Sequence, residues 1–109
     1  METPRLTQLL NFLAEDPTDA FNLYAVANEY YAQQAYEAAC TWFEQLRTLH
    51  PGYIGLYYHL ASVYELLGNI PEALNVCEAG QGVAQAQRNA HAAGELQRLR
   101  QRILDEAGL

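Results

Sequence analysis

The run DPTDAFNLYAVANEYYAQQAYEAACTWFEQLRTLHP, Asp16 to Pro51, decides the fold, because the next stretch of chain repeats its pattern. Pro17 and Pro51 stand 34 positions apart, and between them lie Leu23, Val26, Ala27, Tyr30, Ala39 and Phe43. At the same interval further on come Tyr57, Leu60, Ala61, Tyr64, Ala73 and Cys77. Large positions stay large or medium, and the two small positions stay alanine. A period of this length in helix-forming sequence signals a helical hairpin used twice.

Working outward, Thr3-Pro4 opens a first helix over residues 4–14, with Thr3 as N-cap and Pro4 where no amide hydrogen is needed. Leu6, Leu9, Leu10 and Leu13 form its apolar stripe, and Pro17 ends it. Thr18 or Asp19 caps the second helix, which runs to about Gln33, and a corner without glycine at Gln34-Ala35 leads into a third over residues 36–49. His50-Pro51-Gly52 stops that one. A fourth is expected from Tyr53 to Leu67, then the turn Gly68-Asn69, then a fifth from Ile70 to Ala86. Gly80 and Gly82 fall inside the fifth, and close packing against a neighbouring helix is the expected reason for both. The last helix, from Ala92 to Glu106, carries Leu96, Leu99, Ile103 and Leu104 on one face and polar residues on the other. Nothing reads as strand.

The chain of 109 residues is half hydrophobic and 17% charged, which excludes a disordered acidic tail. It reads as one domain, 1–109. Residues 1–80 hold ten acidic side chains against two arginines, while residues 81–109 hold three against four. An acidic body repels phosphate backbones, so nucleic acid is not the expected partner. No run is apolar and long enough to span a bilayer, and Met1 to Arg5 lacks the shape of a leader, so a cytoplasmic protein without membrane contact is expected. Cys40 and Cys77 read as reduced, buried thiols.

The spacing Leu23-x2-Val26-Ala27-x2-Tyr30, Ala39-x3-Phe43, Pro51, and again Tyr57-x2-Leu60-Ala61-x2-Tyr64, Ala73-x3-Cys77, resembles the tetratricopeptide repeat (TPR) signature. Gln85 stands where the second unit's proline would be, and Gln34 where the first unit's corner glycine would be. The layout also resembles small bacterial TPR proteins without an assigned activity. The resemblance implies an all-α, right-handed helical-hairpin solenoid of six helices. Its parts are an N-terminal helix (4–14), repeat 1 (18–51), repeat 2 (52–86) and a C-terminal capping helix (91–107). It implies an interaction module and no chemistry.

On that frame Tyr30, Tyr36, Tyr57 and Tyr64 are packing residues. Phe21, Tyr24, Asn28, Tyr31, Tyr58, His59, Ser62 and Glu65 fall on the first helices of the two hairpins, facing the hollow side of such a solenoid. Rigid rings among polar groups suit a peptide or helix of a partner protein. Glu29 and Glu65 would give that surface an acidic edge and favour a basic or amphipathic partner. The family's best-known grip on a C-terminal carboxylate uses lysine, arginine and two asparagines. The comparable positions here hold Tyr24, Asn28 and His59, and the chain has no lysine, so that grip is not expected. A rival reading for Tyr58 is that the last helix folds over it. A rival for the whole protein is a self-associating homodimer whose end helices pair through Leu96 and Leu99. His50, His59 and His91 lack metal-ligand spacing, no phosphate loop or nucleophile constellation occurs, and neither cofactor nor enzymatic activity is expected.

Overall fold

The computed structural model describes residues 2–109; Met1, the first residue of the run read for a leader, lies outside them. Among the described residues every regular element is a helix: α1 Pro4–Glu15, α2 Ala20–Ala32, α3 Tyr36–Leu49, α4 Gly55–Leu66, α5 Ile70–Ala86 and α6 Ala90–Ala107. None of them is long and apolar enough to cross a membrane. The chain divides into two compact units, Met1–Tyr53 and Ile54–Leu109.

In the first unit α1 and α3 each pack on α2 and make no backbone approach to one another. Leu6 and Leu13 of α1, Leu23, Val26 and Ala27 of α2, and Ala39, Phe43 and Leu46 of α3 make its core. In the second unit α4, α5 and α6 all pack mutually. The repeated pattern supplies Tyr57, Leu60, Ala61, Ala73 and Cys77, and α6 adds Leu96, Leu99 and Ile103. The four alanines at the small positions are wholly buried, which lets the paired helices approach closely.

Side-chain caps start α1, α2, α5 and α6, whereas α3 and α4 begin without one. Thr3 Oγ1 accepts from the Leu6 amide at 3.1 Å and Asp19 Oδ2 from Asn22 at 2.8 Å. Asn69 Oδ1 accepts from Glu72 at 3.3 Å and Asn89 Oδ1 from Ala92 at 3.0 Å. The last cap explains why α6 begins at Ala90 and not Ala92: Asn89 is a helix start, not the middle of a turn. The fourth helix begins at Gly55 and not Tyr53, because Tyr53 stays in the turn with its ring 5.3 Å from that of Tyr24.

Three corners share one hydrogen-bond pattern. At Gln34-Ala35 the amides donate to the Tyr31 and Tyr30 carbonyls; Gly68-Asn69, between α4 and α5, and Arg88-Asn89, between α5 and α6, repeat the pattern. This is the Schellman arrangement, and it needs a left-handed residue just past the helix. Gln34 (φ 61°), Gly68 (φ 80°) and Arg88 (φ 56°) occupy that place. A side chain there costs roughly 1–2 kcal/mol, partly offset by the greater freedom glycine has when unfolded. Gln34 is exposed. Gln34→Gly should therefore stabilise the protein by about 0.5–1 kcal/mol, seen as a melting midpoint a few degrees higher. A lower midpoint would mean that the glutamine side chain contributes more than its backbone costs.

Candidate binding faces

On α2, Phe21, Tyr24, Asn28 and Tyr31 follow helical spacing along one stripe. Phe21 is 68% exposed and Asn28 is exposed. Tyr24 is half-buried, tilted against Tyr53 and edge-on to Phe43 with centroids 6.1 Å apart. Burial, then the neighbouring Tyr53, raises its phenol pKa, so the hydroxyl stays protonated. Tyr31 is half-buried and edge-on to Tyr36 at 5.8 Å. The two rings nearest the core are thus fixed by aromatic neighbours, while Phe21 projects into solvent.

The α4 stripe differs. Tyr58 is 41% exposed, edge-on to the imidazole of His59 at 6.1 Å. His59 has its pKa lowered by burial, against a weaker opposite pull from Glu95, so it is neutral at pH 7. Ser62 is buried, and its hydroxyl donates back to the Tyr58 carbonyl at 2.9 Å. It was expected on the accessible face; α6 packs on α4 and the hydroxyl turns to its own backbone. Glu65 is held in a two-pronged bond, Arg102 Nη2 donating to Oε1 at 2.9 Å and Nη1 to Oε2 at 3.0 Å. Arg102 also pairs with Glu106, and its bonds to Glu65 first of all raise its pKa further above the usual arginine range. In the first unit Glu29 faces Arg5 at 3.3 Å. Both carboxylates expected to make an acidic edge are therefore already matched by arginines.

Leu96 and Leu99 are 2% and 3% exposed. A charge there would break the core of the second unit, not probe an interface between copies. Cys77 is buried, which pushes its thiol up to about 11, out of the range of a nucleophile. Among the described residues no group of His, Cys, Asp or Glu is arranged to hold a metal ion. His50 has a structural part: its Nε2 meets the Thr18 carbonyl at 2.5 Å. What the sequence reading missed was Arg102. The excess of arginine after residue 80 was its only trace, since the pairing with Glu65 spans 37 positions.

No protein-family model matches the chain, and no curated protein matches it. Solved structures do. A tetratricopeptide repeat domain protein from Salinibacter ruber, solved by NMR, is 33% identical over 81% of this chain and 89% of its own, with a TM-score of 0.76. PcrH, solved in complex with the chaperone binding region of PopD, has a TM-score of 0.86 at 14% identity, over 94% of this chain and 77% of its own. The TPR2B domain of yeast Sti1, in its pHsp70 complex, reaches 0.87 at 15% identity, over 93% and 81%. The last two share the fold alone.

Proposed function

The chain belongs to the tetratricopeptide repeat family and has its all-α helical solenoid fold, and from that premise we propose that it is a protein–protein interaction module. Each unit offers its own contacts, Phe21, Tyr24, Asn28 and Tyr31 on α2 in the first and Tyr58 and His59 on α4 in the second, and each takes a peptide or helix of a partner protein with apolar side chains. The observation that carries this reading is Phe21. A phenylalanine 68% exposed, on one stripe with two half-buried tyrosines, is apolar surface that the first unit does not use for its own core. Tyr24 and Tyr31 are already held by Phe43, Tyr53 and Tyr36, so little side-chain freedom remains to be lost on binding. The PcrH and Sti1 structures, each holding a segment of another protein on this fold, support the same use. Glu65 serves by tying α4 to α6 through Arg102, and Ser62 is spent on its own helix backbone.

The test compares capture from a cell lysate by the immobilised wild type and by the double variant Phe21→Ala/Tyr58→Ala. Neither residue is part of the core, so the variant should melt within about 1 kcal/mol of the wild type. The yield of the specifically captured protein should drop at least about 10-fold. Undiminished capture by a folded double variant would remove these rings from the contact.

A further inference from the structure

Because α1 and α3 both lean on α2 without meeting, a trough of about 510 Å³ opens between them. Leu13 and Leu23 floor it, Leu10 and Trp42 wall it, and Pro17 and Thr41 stand at its rim. Leu23 and Phe21 are two positions apart, so the trough and the exposed phenylalanine lie on different sides of α2. The volume is in the range of ligand sites, about 300–1,000 Å³. A free small molecule would be badly enclosed, because Pro17, Thr41 and other rim residues are themselves exposed. An apolar side chain carried on another chain needs only one open side.

The charge around the trough selects among such chains. Glu15 and Asp16 directly follow the lining residue Ala14, and Glu37 sits one turn before Thr41, whose hydroxyl donates to its carbonyl. None of these three carboxylates forms an ion pair among the described residues, and all are exposed. Both arginines of the unit are paired, Arg5 with Glu29 and Arg47 with Glu44.

We propose that the trough between α1 and α3 is a second docking site, which takes a bulky apolar side chain from a helix of a partner protein whose flanking residues are lysine or arginine. The apolar walls take the anchor, as an amphipathic helix is taken by a groove, and the three carboxylates meet the cations beside it.

Trp42 is the chain's single tryptophan and lies in the wall, so its emission reads occupancy directly. The probe is a synthetic helical peptide of about 15 residues, long enough to hold some helix, with leucines at i, i+3, i+4 and i+7 and lysine elsewhere. It should shift Trp42 emission to the blue in a saturable titration. Leucine-to-alanine peptides should bind about 10- to 100-fold more weakly, and added salt should weaken the parent peptide. Thr41→Arg, an exposed change that sets a cation at the rim, should weaken it about 10-fold with the melting midpoint unchanged. The Phe21→Ala/Tyr58→Ala variant should titrate like wild type, which keeps failure here distinct from failure of the α2 and α4 contacts. The proposal is overturned by an unmoved emission at millimolar peptide, or by equal binding of a peptide with glutamate in place of lysine. It is equally overturned by a shift that free hexanol reproduces at matched concentration, or by one that follows the concentration of the protein alone, which would mean a second copy.

Discussion

Gly80→Leu is expected to abolish cooperative melting of the second unit, with loss of helical circular dichroism at a temperature where the wild type is folded. Gly80 is buried in α5, and a Cβ built there lies 2.6 Å from Tyr57 Cβ and 2.8 Å from Leu96 Cδ1. Tyr57 Cβ is the root of its side chain and cannot swing away, so α4 or α5 must move. The smaller change Gly80→Ala sets two effects in opposition: a helix-propensity gain of about 1 kcal/mol and an overpacking cost of roughly 1–3 kcal/mol. Overpacking wins because both contacts are shorter than any relaxed Cβ makes. Gly82, two positions on, is exposed with open space around its would-be Cβ. Gly82→Ala should therefore stabilise by up to about 1 kcal/mol, and the opposite signs of the two alanine variants are the measurement. Equal melting of the two would mean that α5 can shift at no cost.

The second large effect sits in the first unit. Phe43 is the bulkiest fully buried side chain, and Phe43→Ala should cost about 3–5 kcal/mol. That is a large part of the roughly 5–15 kcal/mol holding a typical domain folded. Urea unfolding followed by emission from Trp42, its neighbour on α3, gives the number. Phe43→Leu, which leaves most of the volume filled, should lose about 1.5 kcal/mol or less. The alanine variant also removes the edge against which Tyr24 rests, so any partner that uses Tyr24 should bind it more weakly even below the unfolding transition. A variant that melts like wild type would mean that the cavity collapses fully.

The repeat was legible because most of its positions are buried: Leu23, Ala27, Phe43, Leu60, Ala61 and Cys77 are all core, while Tyr30 and Tyr64 are half-buried. Close packing constrains residue size, and size shows in a sequence. The corners were less legible. The left-handed step at Gln34 and Arg88 is enforced by carbonyls that must be satisfied, so neither position advertises itself with glycine. Gly80 was foreseen as a close approach, whereas Gly82, given the same reason, touches nothing. On the candidate faces, Phe21 and Tyr58 could be placed by periodicity. The fates of Ser62 and Glu65 could not, because they depend on α6, which lies outside the repeated pattern and reaches α4 by a pairing that no local spacing encodes.

The lean of α1 on a single neighbour has a dynamic consequence. Among the described residues its ties run to α2 and its flanks: Arg5 to Glu29, the Asn22 side-chain Nδ2 donating to the Phe12 carbonyl at 3.5 Å, and the Gln33 Nε2 donating to Thr3 Oγ1 at 3.4 Å. Only Leu6 and Leu13 of α1 are buried, and Arg5 is largely solvated. Such a segment can lift away without disturbing the α2–α3 pair, so its amide hydrogens should trade with solvent long before the rest. The first dozen residues after the cap then behave as a hinged flap whose opening uncovers the α2 face at Leu23.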